Sequence, residues 1–178
     1  RVPQFYILPK LHKQRNPPPG RPIVSATGSV LEPLAKFADF FLKPLMRSQQ
    51  TYLQDTRDVV ALLNDISFDP AYEILVTMDV ESLYSNIPQE DSLRVLEIVM
   101  TNTVWSSITP IEFILDLVHM VLTRNYFQFR GEFYVQQHGT AMGSSVAPSV
   151  ACLYVSHFEN THVLVHTNPF IDKIRLFK

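Results

Sequence analysis

The sequence predicts a single α+β domain, on three observations. Short strand-like runs and amphipathic helical runs intermingle without a regular βαβ order. Hydrophobic residues make up 46 % of the chain and charged residues 18 %, a globular balance. The 178 residues provide for one good-sized core and are too few for two comfortable domains.

From the N-terminus, QFYIL (4–8) and RPIVSA (21–26) read as short strands, and the proline-rich loop NPPPG (16–20) joins them as a hairpin-like flap. Ser29 and Glu32 have capping-box spacing, with Leu34, Phe37, Phe41, Leu42 and Leu45 following at helical intervals. Pro44 should kink or end that helix. TRDVVALLNDI (56–66) is a second amphipathic helix, and EILVTMD (73–79) is a mostly apolar strand of the kind buried on both faces. A helix runs from Pro88 through Leu93, Leu96 and Val99. The next is expected to use Thr109 as N-cap, Pro110 at its first position and Glu112 to complete the capping box. YFQF (126–129) and EFYV (132–135) flank Arg130-Gly131 as a tight hairpin. QHGTAMGSSVAPSVACLYVSHF then passes from a glycine-bearing loop into a helix, and IDKIRLF begins another strand.

Composition narrows the function. The apolar runs FILDLVHMVL and FADFFLKPLM both carry charges and are too short to span a bilayer. No secretory signal is expected from the residues at the start of this sequence. Cys152 is the only cysteine, so an internal disulfide and a cysteine-rich metal cage are excluded, and a reducing compartment is expected. Beginning on Arg1 and ending on IRLFK, the sequence reads as an internal piece of a longer reading frame. The net charge of −2 conceals an asymmetry. Residues 1–50 hold eight Lys/Arg against Glu32 and Asp39, a net of +6, while residues 51–100 hold two Arg against ten acids, a net of −8. A basic third suits a polyanion and an acidic middle suits a cation.

Three stretches carry chemistry. In VTMDVESLYSNIP (76–88) an apolar strand ends on Asp79. Taken singly, such an acid reads first as an N-cap for the segment after it. Its company points further. Val80, Glu81, Ser82 and Leu83 form a short turn whose amides suit a triphosphate, and Tyr84 supplies a ring to pack under a sugar. In GTAMGSSVAP (139–148) two close glycines permit backbone approach to a base or strand, although a plain loop-to-helix junction has the same look. In LPKLHKQRNPPPGRPIVS (8–25), Lys10, Lys13, Arg15 and Arg21 cluster without an acid, and arginine matches phosphate as a fork. Lys13 and Arg15 also suit a solvated loop.

These stretches, in this order and spacing, resemble the reverse transcriptases, and their wording is closest to Penelope-like retroelements. FYILPKLHK…PPGRPIVSATGS resembles the fingers segment, VTMDVESLYSNIP the palm motif with the first catalytic aspartate, and QHGTAMGSSVAPSVACLY the template-and-primer motif. The resemblance covers nearly the whole chain. It implies a right-hand polymerase domain over 1–178, with fingers over about 1–70 and palm over 71–178 with insertions. The ferredoxin-like palm sheet would lack its last catalytic strands. The implied activity is RNA-directed DNA synthesis with an RNA template, a DNA primer, dNTPs and Mg²⁺, inside the cell and in the nucleus.

Carried onto this sequence, Asp79 and the Val80 carbonyl would bind metal, and Asp79 would be catalytic. Lys10, Arg21, Glu81, Ser82, Leu83 and Tyr84 would bind the dNTP, Tyr84 as the gate against a 2′-hydroxyl. Gly139, Met142, Gly143 and Ser144 would meet template and primer. Met142 stands where the family commonly has glutamine. The family's Tyr-x-Asp-Asp turn has no counterpart in this sequence, and Asp172 reads as a strand-start cap rather than its replacement. An inactive fragment is therefore expected. The other readings are a degenerate remnant that binds nucleic acid without catalysis and a group II intron-like or telomerase-like relative. Neither a zinc site among His119, His138, His157, His162 and His166 nor a serine-hydrolase elbow at GSS is supported. A sheet short of one strand would also leave an open edge.

Overall fold

The structure, a computed structural model, describes residues 1–13, 16–103, 109–165, 171, 174 and 177. Arg15, His166, Asp172 and most of the expected IDKIRLF strand lie outside the described residues. In chain order the elements are β1 (Gln4–Pro9), β2 (Gly20–Ser25), α1 (Glu32–Arg47), α2 (Thr56–Asn64), the one-turn α3 (Leu83–Asn86), α4 (Gln89–Asn102), α5 (Ile111–Thr123), β3 (Tyr126–Phe129), β4 (Glu132–Val135) and α6 (Ala147–Phe158). A π-helical turn, Glu159–Val163, extends α6. The class is α+β.

The strands form one mixed sheet in the order β2-β1-β3-β4. β1 and β2 pair antiparallel from Gln4↔Ser25 to Pro9↔Gly20, as the flap reading expects. β1 runs parallel to β3 through Gln4↔Gln128, and β3 and β4 form the second hairpin. Its turn has positive φ at both Arg130 (52°) and Gly131 (87°), the type I′ geometry that matches strand twist. Alternation places Phe5, Phe127 and Phe129 together: the Phe5 ring lies 5.6 Å from Phe127 and 5.2 Å from Phe129.

The core is helical. On α1, Ala35, Ala38, Leu42, Leu45 and Met46 recur on one face and are buried. They meet Ile114, Leu117, Val118 and Val121 of α5 and Val150 and Leu153 of α6, while Leu96 and Met100 of α4 close the cluster. Pro44 sits in the last turn of α1, so the helix continues only to Arg47. The α1–α6 contact has a polar tie, in which the Ser149 hydroxyl donates to the Asp39 carboxylate.

Three expectations are corrected. The segment 73–79 is not a strand: it is irregular and exposed, with Ile74 85 % and Met78 80 % accessible. A strand exists only where its backbone groups find a neighbour, and no strand of the four-stranded sheet pairs with it. The Ser29 capping box does not form. The Ser29 hydroxyl is buried with no hydrogen-bond partner among the described residues, and Glu32 instead accepts from the Gly28 amide at 2.5 Å. α5 begins one residue later than expected, with Pro110 at the cap and no side-chain cap bond there.

Candidate functional site

The loop after β4 joins the motifs. At Gly139 (φ +72°) a β-carbon would collide with the backbone of Tyr84 and Ser85, so the loop can cross α3 only without one. The crossing is fixed by the Thr140 amide, which donates to the Tyr84 carbonyl at 2.7 Å. Gln89, at the start of α4, donates to the carbonyls of Gly139 (3.0 Å) and Leu122 (3.1 Å). On its other side the loop meets β2. The Val24 amide donates to the Met142 carbonyl at 2.9 Å, and Gly143 (φ +126°) lies against the Val24 carbonyl, where a β-carbon would collide. Three segments distant in sequence therefore share one surface.

Beside this crossing is a cleft of about 190 Å³. Phe5, Pro22, Val24 and Phe127 form its sheet wall, and Ser85, Thr140 and Met142 form the opposite wall. It is chiefly apolar, with Ser85, Gln136 and Thr140 as its polar lining residues, a lining suited to a flat ring system. Ser144, in the same loop but outside the cleft's lining, has a buried hydroxyl with no hydrogen-bond partner among the described residues.

Tyr84 is half-buried on α3. Burial pushes its phenol pKa up, and the neighbouring Cys152 of α6 adds to the effect. The Cys152 thiol is itself raised, first by burial and then by Glu159. α3 and α6 are in contact here. Ser82, just before α3, has a left-handed backbone (φ 52°), and its carbonyl accepts from the Ser85 amide (3.1 Å) and hydroxyl (3.0 Å). The expected phosphate turn is thus a tight entry to one helical turn, in which Leu83 is half-buried and Glu81 and Ser82 are exposed.

The cations lie on the flap. Arg21 opposes Leu8 in the β1–β2 register, and its side chain is exposed and in no ion pair among the described residues. The Lys10 amide donates to the Pro19 carbonyl at 2.9 Å, which closes the flap's end. Asp79 and Val80 are the residues least integrated. Both are exposed, and the Asp79 carboxylate makes no hydrogen bond or ion pair among the described residues. No group of three or more His, Cys, Asp or Glu able to hold a metal ion occurs among them either. A two-metal centre needs carboxylates from more than one place, and the described residues alone do not fit one. No described helix is long and apolar enough to cross a membrane.

The structure thus joins Tyr84 to Gly139 and Thr140, and Met142 and Gly143 to β2, through one loop that also carries Ser144, and Asp79 makes no hydrogen bond or ion pair with it. Sequence reasoning missed Gln89, Thr140, Phe5 and Phe127. The first two act through backbone carbonyls, which no motif displays, whereas alternation along β1 and β3 did signal the aromatic face. No protein-family model matches the chain, and no curated protein is matched by it.

Proposed function

We propose that this chain is the fingers and the first part of the palm of an RNA-directed DNA polymerase of the Penelope-like kind, acting on nucleic acid in the nucleus. The observation that supports it most is the double tie of the 139–144 loop, to Tyr84 through Thr140 and to β2 through Met142. The three motifs that carry the family resemblance are then neighbours, as a nucleotide site built from them requires.

In this reading each group has a role its position permits. Arg21, exposed, and Lys10, half-buried, both at one end of the flap, bind the triphosphate of an incoming dNTP, Arg21 as a fork. The α3 entry, Glu81 to Leu83, lies along it. The half-buried Tyr84 ring, on α3 where it meets α6, walls off the 2′ position of the sugar. Gly143 lets the backbone approach a base, and Met142 offers an apolar contact in place of a hydrogen bond. Asp79 and the Val80 carbonyl are this chain's share of an Mg²⁺ site, whose chemistry when complete is to stabilise both the attacking and the leaving oxygen. The sequence contains no Asp-Asp pair, so the 178-residue chain should not extend a primer.

Paired single-nucleotide incorporation, in a longer chain that carries an Asp-Asp turn after Lys178, tests the assignment. Tyr84→Ala should shift the rNTP/dNTP ratio of kcat/KM by on the order of 1–3 kcal/mol toward ribonucleotides, and Tyr84→Phe should keep most discrimination. An unchanged sugar preference in a folded Tyr84→Ala protein would remove the gate and weaken the placement of Asp79. The non-catalytic reading draws on the isolation of Asp79. It predicts salt-sensitive oligonucleotide binding by the basic flap, with no dNTP dependence even in the longer chain.

A further inference from the structure

We propose that a second copy of this chain docks on the acidic, apolar segment 74–81, using its basic flap, and that the exchange is reciprocal in a closed dimer. This rests on exposure and charge and stands whether or not the chain is part of a polymerase.

Leu75 is 72 % exposed and Val76 68 %, and Ile74, Met78 and Val80 are exposed beside them. Scattered surface apolar residues need no explanation, but a contiguous run marks a contact surface. The flap offers a matching surface: Ile7 (58 %), Leu8 and Leu11 are exposed between Lys10, Lys13 and Arg21. The charges decide the occupant. Residues 54–81 hold seven acids against Arg57 alone, whereas residues 1–25 hold five Lys/Arg and no acid. Two copies of the acidic segment would repel each other, so its pairing with itself is disfavoured. Acidic segment against basic flap brings apolar residues together inside an attractive rim.

The contact is made by side chains, not by an added strand at β2. There the Val24 amide is engaged by Met142, and Pro22 has no N–H to offer. Each copy carries both surfaces, so two contacts related by a two-fold axis satisfy all four and close the assembly.

Sedimentation velocity on the 178-residue chain over a wide concentration range tests this. A monomer–dimer equilibrium that weakens with added salt is expected. Asp79→Lys with Glu81→Lys should raise the dimer Kd on the order of tenfold or more, and so should Lys10→Glu with Lys13→Glu. All four changes together should recover dimerisation, because the signs are exchanged on both faces. Leu75→Ser should weaken it without altering the salt dependence. These residues are exposed or half-buried, so unchanged melting curves show that the variants fold. A monomer at every concentration, open-ended assembly, indifference to charge reversal or failure of the four-fold variant to recover would each overturn the proposal.

Discussion

The helical half and the segment from Gln54 to Asn86 have similar sequence texture and opposite fates. α1 and α2 are both amphipathic, yet α1 buries five residues and α2 buries none. α1 meets α5 and α6, whose apolar faces are fixed by the same core, while no side chain from Arg47 to Asn86 is buried. An apolar stripe states that a face favours burial; it does not name the partner. Where the partner lies within the chain, as for Leu42 against Val118 and Val150, a core forms. Elsewhere the stripe stays at the surface.

The sharpest way to break this contrast is to truncate one residue in each region. Leu42 is fully buried, so Leu42→Ala should cost about 2–5 kcal/mol, by loss of transfer energy and opening of a cavity. Val76→Ala, measured at concentrations where the chain is monomeric, should stay within about 0.5 kcal/mol, as for surface changes away from special features. Denaturant unfolding reads both. Equal losses would mean that the 74–80 segment is packed in solution against something the chain supplies.

A second test falls where the regions meet, at the Gly139 crossing over α3. Gly139→Ala imposes a positive φ on an L side chain and drives a β-carbon into the Tyr84 and Ser85 backbone. The expected cost is about 1–3 kcal/mol, with loss of amide-exchange protection at Thr140, whose N–H bonds the Tyr84 carbonyl. Full protection at Thr140 in the variant would show that α3 and the loop are not coupled. Gly131→Ala, in an open hairpin turn with nothing near its would-be β-carbon, carries only the φ penalty and is the control.

What could be read in the sequence follows the same division. Both hairpins were legible to within a residue, because turn chemistry and alternation are local. The four core helices were legible because their apolar spacing is local too, although the cap expected at Ser29 did not form and that of α5 is Pro110 rather than Thr109. The segment 73–79 misled, since an apolar run resembles a buried strand whether or not another strand is there to receive it. The Ser29 box misled for a related reason: spacing permits the bond, but the Gly28 amide reached Glu32 first. In the site, Tyr84, Gly139 and Gly143 were legible as motif residues. Their connection through carbonyls of Tyr84, Met142 and Val24 was not, because a backbone bond leaves no residue type behind.

The smallest effect concerns pH and asks how firmly α3 is seated on α6. Burial raises the folded-state pKa of Tyr84, and Cys152 across the same contact is raised as well. A raised pKa means that the folded protein holds its proton where the unfolded chain releases it. The stability tied to each group is therefore intact below its unfolded pKa and is lost as pH rises through the folded one. The decline should begin near the ordinary thiol pKa, about 8.5, and steepen past the ordinary phenol value, about 10. Tyr84→Phe should flatten the upper part of this limb, and Cys152→Ser the lower part, with little change at neutral pH from the former because the ring remains. Melting temperatures from pH 7 to pH 11 measure it. Because Tyr84 is only half-buried, the slope should be shallow, as solvent screens a partly exposed charge. A limb unaltered by Tyr84→Phe would mean that the phenol is solvated and the ring not seated on α6, and the sugar wall would then lose its backing.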